Sequence, residues 1–300
     1  MLEISGDDIA KLDDAALRTL VYRLAVAELR KQNCPTSSVT AGGNQDAADG
    51  GIDVRVDCPT VLASPNFVPR QYTGFQVKRT QMPKSKITEE MRPHGELRPV
   101  IRQLVDRSGA YVIVSSQDSV TEKFLEQRRQ TIRDALHDIP TAHQLAVDFY
   151  DREHLAAWTN EYPGVAAWAR EKVGRPIFGW SGISDWTGTK DIPPQFLSNE
   201  NKCLTYESHS GCQELTIAEG ISHIRSRLNC AGACVRLIGM SGVGKTRLVQ
   251  ALFQDDIGDS CLDSSLAVYT DYSSEPSPSA REMARMLIAN DQRAILILLC

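Results

Sequence analysis

The sequence predicts an α/β protein built in two parts, and three observations carry that prediction. Short apolar runs of strand character alternate with helical patterns from residue 13 to residue 150. Residues 174–213 are rich in Pro, Gly, Ser and Asn and show no sustained period. Beyond them, residues 239–246 read Gly-Met-Ser-Gly-Val-Gly-Lys-Thr, entered by an apolar run and followed by helical sequence. These features predict a first domain over 1–173, a connector over 174–213 and a second domain over 214–300. Three hundred residues are enough for two ordinary domains.

In the first domain, Leu17, Leu20, Val21, Leu24, Val26 and Leu29 place an apolar stripe near helical spacing over 13–31. The stretch 41–51 holds four glycines and little apolar content, and reads as a loop. Ile52-Asp53-Val54-Arg55-Val56 alternates like a strand, 57–71 with its three prolines reads as an exposed hairpin loop, and 72–79 as the returning strand. A helix over 96–106, a buried strand over 110–115, a helix over 120–137 and a strand over 145–150 continue the pattern. Residues 151–173 form a helical pair around Tyr162-Pro163-Gly164, with Trp158 and Trp168 in the core. In the connector, Trp180 and Trp186 are the large apolar residues and are expected to dock onto a neighbouring surface.

The second domain opens with Val235, Leu237 and Ile238 as a buried parallel strand, then the glycine-rich string, then a helix over 245–253. The string matches the phosphate-binding pattern G-x-x-x-x-G-K-[ST] in full. Gly239, Ser241, Gly242, Val243 and Gly244 form the loop, whose glycines let backbone N–H groups face a pyrophosphate at the helix N-terminus. Lys245 is placed to reach the β- and γ-phosphates of ATP, and the Thr246 hydroxyl to sit on Mg²⁺. A strand over 266–270, a helix over 280–289 and an apolar run over 294–300 follow. That last run has the character of the strand that carries the Walker B acid, yet Leu298, Leu299 and Cys300 stand where the acid belongs. The sequence is therefore expected to be the front part of a longer protein or a truncated gene product, with negligible ATP hydrolysis of its own.

Composition narrows the setting. No apolar stretch reaches the roughly eighteen residues of a membrane span, and the N-terminus lacks the basic start and apolar core of a secretion signal. The eight cysteines contain no CxxC pair, as expected of a reduced, cytoplasmic chain. The spacings of Cys203, Cys212, Cys230 and Cys234 fit no zinc pattern. Net charge is −5, which argues against a general nucleic-acid coat. Between Arg70 and Arg107, however, nine Lys or Arg stand against four Asp or Glu. Such a stretch either neutralises phosphates or forms an ordinary solvated face.

Side chains at i and i+2 of a strand share a face, so Gln76 and Lys78 point the same way. If 52–56 pairs with 72–79, Asp53 projects into the same cleft. An acid, an amide oxygen and a lysine in one cleft suit Mg²⁺-dependent phosphodiester cleavage, because Mg²⁺ takes hard oxygen ligands and a lysine beside it offsets charge on the phosphate. The same three residues also fit a solvated face of an ordinary sheet. Arg79, Lys84 and Lys86 follow this strand and are candidates for the double-stranded DNA backbone.

Asp-Gly-Gly-Ile-Asp53 followed by Phe75-Gln-Val-Lys78 resembles the D…QxK version of the PD-(D/E)xK nuclease core found in Mrr-like restriction endonucleases. The resemblance implies an αβββαβ core, with Asp53 and Gln76 on the metal and Lys78 at the attacking water. It also implies a further acid from the first helix, for which Glu28 is the candidate. Gln76 departs from the parent Asp or Glu, as is typical of the Mrr-like branch, and removes one negative charge from the metal site. A nuclease-like module, a connector and Val-Arg-Leu-Ile-Gly-Met-Ser-Gly-Val-Gly-Lys-Thr together resemble the bacterial antiviral STAND-type NTPases. That resemblance implies an ATP-controlled DNA endonuclease, activated by homo-oligomerisation and triggered by a phage component through a sensor beyond Cys300. Two further classes stay open: an NTP-dependent scaffold whose nuclease-like domain binds DNA or a partner without cutting, and a stand-alone phosphate-transferring enzyme.

Overall fold

The computed structural model describes residues 2–42, 51–63, 66–183, 203–208 and 211–299. The protein is mixed α/β and divides into two units, Met1–Phe178 and Gly179–Cys300.

Unit one begins with a short helix α1 (Gly6–Ile9) closed by a Ser5–Asp8 capping box. Helix α2 (Asp14–Lys31) starts at Asp13, whose side chain accepts from the Ala16 N–H. Asp14 in its first turn and Arg30 and Lys31 in its last complement the helix dipole. Leu17, Leu20, Val21 and Leu24 are fully buried, so the predicted stripe is the packed face. There follow β1 (Val39–Ala41), β2 (Val54–Asp57), β3 (Tyr72–Lys78), α3 (Lys84–Met91), α4 (Pro99–Asp106), β4 (Ala110–Ser115), α5 (Glu122–Asp134), β5 (Ala146–Tyr150), α6 (Arg152–Asn160) and α7 (Pro163–Lys172). The five strands lie in the order β1-β2-β3-β4-β5. β1, β2 and β3 run antiparallel in turn, whereas β3, β4 and β5 are parallel.

Every residue of β4 is buried, as a parallel strand covered on both faces must be. On one face Phe75 and Tyr150 meet Trp158, which stacks on Phe67 with ring centroids 5.1 Å apart. On the other, Tyr111 and Ile113 pack with Ile87, Met91, Ile101 and Ile132 from α3, α4 and α5. Gly74 on β3 is required by a close approach: a Cβ there would stand 2.5 Å from Ile52 Cδ1.

Three elements of this unit are absent from the sequence reading, the four-residue α1 among them. β1 offers a single buried residue, Val39, and is too short to show alternation. α3 has only Ile87 and Met91 as apolar anchors, one turn apart, and two points do not establish a repeat. Residues 43–50 of the predicted loop over 41–51, with the Asp-Gly of the Asp-Gly-Gly string, lie outside the described residues.

Unit two contains β6 (Ser181–Gly182), β7 (Cys203–Ser208), β8 (Gly211–Thr216), α8 (Ile217–Leu228), α9 (Lys245–Ala251), β9 (Ala267–Asp271), α10 (Ala280–Ala289) and β10 (Ile295–Leu299). β9 and β10 are parallel, β6 pairs antiparallel with β9, and β7 and β8 form a separate hairpin. Capping boxes at Thr216–Glu219 and Ser279–Glu282 start α8 and α10. The hairpin falls largely in the stretch read as lacking a period; Leu204 anchors it so closely over α8 that a Cβ at Gly220 would stand 2.2 Å from Leu204 Cδ1. Trp180 is buried and donates from Nε1 to the Pro278 carbonyl at 2.8 Å, while Trp186 lies outside the described residues.

The expected strand at 235–238 is a correction. Val235 and Leu237 pack partly against the core, but the segment joins no ladder and Ile238 is 81 % exposed. One face of the segment finds apolar partners, whereas a strand also needs a neighbour for its backbone. Arg225 is buried and donates to the carbonyls of Ala251, Leu252, Gln254, Ile257 and Asp259, which clamps the C-terminal end of α9. Among the described residues, no helix is long and apolar enough to cross a membrane.

Candidate active site and phosphate-binding loop

The register of the β2–β3 pair sets the first site. Val54 opposes Phe75, and the Asp53 N–H donates to the Phe75 carbonyl at 2.9 Å, so the pairing extends one residue beyond β2. Asp53 therefore shares a sheet face with Gln76 and Lys78, while Phe75 and Val77 point to the opposite face. Asp53 Oδ2 accepts from Gln76 Nε2 at 2.9 Å and from the Val77 N–H at 2.7 Å. Gln76 is 4 % exposed, and its Oε1 is buried without a hydrogen-bond partner. Burial pushes the Asp53 carboxyl above its ordinary range, against the Val77 N–H and the charges of Arg18 and Lys78, with Asp14 adding to the rise.

Four charged residues that sequence reasoning missed surround this core. Arg18 Nε stands 3.1 Å from Asp53 Oδ1, and the same guanidinium reaches Asp14 Oδ2 at 2.6 Å. Lys78 Nζ pairs with Glu90 Oε2 at 2.7 Å, and Arg98 holds the other Glu90 oxygen at 3.0 Å. The Asp14–Arg18 spacing is the sequence signal for one helix-surface pair. No local pattern announces that α2 meets Asp53 or that α3 meets Lys78.

The structure does not bring Glu28 to this cluster. Its buried carboxylate accepts from the Tyr162 hydroxyl at 2.7 Å, beside the α6–α7 pair. Ten residues separate it from Arg18 on the same α-helix, about 15 Å along the axis. The acid on α2 that belongs to the Asp53 end is Asp14.

Asp53 and Gln76 Oε1 are two hard oxygen donors, and a buried amide oxygen with no donor of its own suits a divalent cation or its water shell. Among the described residues no group of three or more His, Cys, Asp or Glu is arranged to hold a metal ion. Any such ion would therefore rest on this acid–amide pair. Arg79, Lys84 and Lys86 are exposed, the two lysines on the same short helix as Glu90.

In unit two, the loop 239–244 leads directly into α9. Gly242 and Gly244 have φ of 79° and 97°, a left-handed backbone that favours glycine, and Gly244 caps the helix. Ser241, Gly242, Val243, Gly244 and Thr246 are exposed. Lys245 Nζ donates to the Gly239 and Met240 carbonyls at 2.7 and 2.8 Å, so its ammonium lies folded over its own loop. No protein-family model, no curated protein and no solved structure matches the chain, so both sites stand on their own geometry.

Proposed function

We propose that the protein is a Mg²⁺-dependent DNA endonuclease of the Mrr-like PD-(D/E)xK kind, controlled by an ATP-binding STAND-type unit and acting in antiviral defence. The observation that carries this reading is the buried Asp53–Gln76 pair, with its unpartnered amide oxygen, on the sheet face that also bears Lys78. The order of unit one, a long helix, three antiparallel strands, helices and a parallel strand, supports it as well.

Asp53 and Gln76 Oε1 would hold the cation, which when bound supplies positive charge to the phosphate under attack. The Lys78 ammonium, aimed by Glu90, orients water toward the phosphate and offsets charge that builds on its oxygens. Arg79, Lys84 and Lys86 neutralise flanking phosphates of double-stranded DNA. In unit two the loop N–H groups and Lys245 take the ATP phosphates, Lys245 exchanging its loop carbonyls for phosphate oxygens, and Thr246 takes the nucleotide's Mg²⁺. The reading includes self-association on activation, a phage component as trigger and a cytoplasmic setting.

Nicking of supercoiled plasmid tests it. Wild-type protein should nick with Mg²⁺ and stop in excess EDTA. Asp53→Ala and Lys78→Ala should each lower the rate on the order of a hundredfold or more. Undiminished cleavage by both variants, or cleavage in EDTA, would sink the reading.

One observation favours a second reading. Arg18 sits on Asp53 and Glu90 on Lys78, so each charge of the site already has a partner within the chain. A nucleotide-dependent scaffold that binds DNA or a partner without cutting would tolerate that arrangement. Mg²⁺-independent DNA binding with no nicking under any nucleotide condition would select it.

A further inference from the structure

Asp53 has one oxygen saturated and one facing a cation. Oδ2 takes two hydrogen bonds, from Gln76 Nε2 and the Val77 N–H, both within 2.9 Å. Oδ1 faces Arg18 Nε at 3.1 Å, and that nitrogen is buried and makes no aligned hydrogen bond. The contact is thus electrostatic, without the directional fork that arginine uses when it binds a carboxylate tightly. The guanidinium has a shorter hold elsewhere, 2.6 Å from Asp14 Oδ2 one turn earlier on α2. α2 itself is pinned by Leu17, Leu20, Val21 and Leu24, so movement of the charge falls to the side chain alone. Among the described residues, the charged groups that bear on Asp53 are Arg18 and Asp14 from α2 and Lys78 from β3.

We propose that Arg18 is a resident counter-ion that competes with an oxygen-seeking divalent cation for Asp53, and so sets how readily the site loads. This rests on the endonuclease reading of the same site. A dication arriving at Asp53 meets a guanidinium in contact with the same carboxylate, and like charges at that separation repel strongly. Arg18 can withdraw toward Asp14 without leaving an ion pair, which makes the exchange of one cation for another accessible. Gln76 adds an oxygen with no donor to lose. The site is therefore expected to be weak for metal while Arg18 stays on Asp53.

Binding of Mn²⁺, followed by the electron-spin resonance of the free ion in the absence of nucleotide and DNA, tests this without recourse to activity. The full chain is compared with Arg18→Gln, with Arg18→Met, which keeps the stem of the side chain, and with Asp53→Ala. The fold of each is checked by circular dichroism. Arg18→Gln and Arg18→Met should bind Mn²⁺ about tenfold or more tightly than wild type, and adding Asp53→Ala to either should remove the gain. Equal or weaker binding by the folded Arg18 variants, with binding still lost in Asp53→Ala, would overturn the competition and leave the metal site intact. If no variant shows Mn²⁺ binding that depends on Asp53, the competition fails together with the metal-dependent reading of the site.

Discussion

Asp8 and Asp53 are both carboxylates withdrawn from water, and the balance between burial and their partners shifts them in opposite directions. Burial raises both, but at Asp8 hydrogen bonds from Arg175, Lys11 and Ser5 outweigh it and hold the carboxyl well below the usual range. At Asp53 the same kinds of interaction fall short of the burial effect. The Asp8 side chain is 1 % exposed, with Arg175 at 2.7 Å and Lys11 at 3.1 Å. A depressed carboxylate contributes stability above its unfolded pKa of about 4 and loses it as pH falls through the folded value. Asp8→Asn should accordingly lower the stability of unit one at pH 7 by about 1–3 kcal/mol. The gap to wild type should close as pH drops below about 4. Thermal melts of the two proteins across that range check it, and a gap that stays constant with pH would show that the ion pairs are not its source.

At the scale of elements, the proposed function gives α3 and α9 the parts that would act on phosphates. Lys84 and Lys86 project from α3 while Glu90 on the same helix holds Lys78, and Arg79 directly follows β3. Replacing Arg79, Lys84 and Lys86 by Ala should flatten the log–log salt dependence of DNA binding by about two to three units, one for each lost phosphate contact. An unchanged slope would return the three to an ordinary solvated face. α9 is held at its far end by Arg225, which donates to five carbonyls; two of them, those of Ala251 and Leu252, also accept from the Gln254 and Leu262 N–H groups. Arg225→Met should cost unit two about 1–3 kcal/mol, since the half-buried carbonyls of Gln254 and Ile257 lose their donor, and should weaken nucleotide binding through a frayed α9. Calorimetry of the full chain that shows no change in any transition would refute it. The elements differ in how openly the sequence announces them. The Leu17–Leu24 stripe, the continuous apolar run of β4 and the Tyr162-Pro163-Gly164 break are periodic or punctuated, and each forms as expected. β1 spans three residues and α3 carries only two apolar anchors, and 235–238 has the composition of a strand without a ladder. That Asp53 meets Gln76 follows from strand alternation. That Arg18, Glu90 and Arg98 close around them is tertiary, set by where α2, α3 and α4 pack, and no local spacing encodes it.

The whole molecule is two separately built units, each with its own core, and the proposed function gives each its own chemistry. Nucleotide binding should therefore depend on unit two alone. Lys245→Ala should abolish ATP binding measured by equilibrium dialysis, because the loop glycines shape the cradle but the Lys245 ammonium supplies charge to the β- and γ-phosphates. The melting of unit one should be untouched, and retained ATP affinity would mean that the loop does not hold the phosphates. The aromatic packing makes such independence visible. Trp158 is fully buried against Phe67, and its indole N–H has no hydrogen-bond partner. Trp168 lies under the Arg23 guanidinium, 4.5 Å from the ring centroid, whereas Trp180 donates to a backbone carbonyl in unit two. An indole in apolar surroundings without a polar partner emits at shorter wavelength than one that is hydrogen-bonded. The chain thus carries built-in dyes of different colour in its two halves, and one fluorescence trace can time the loss of each.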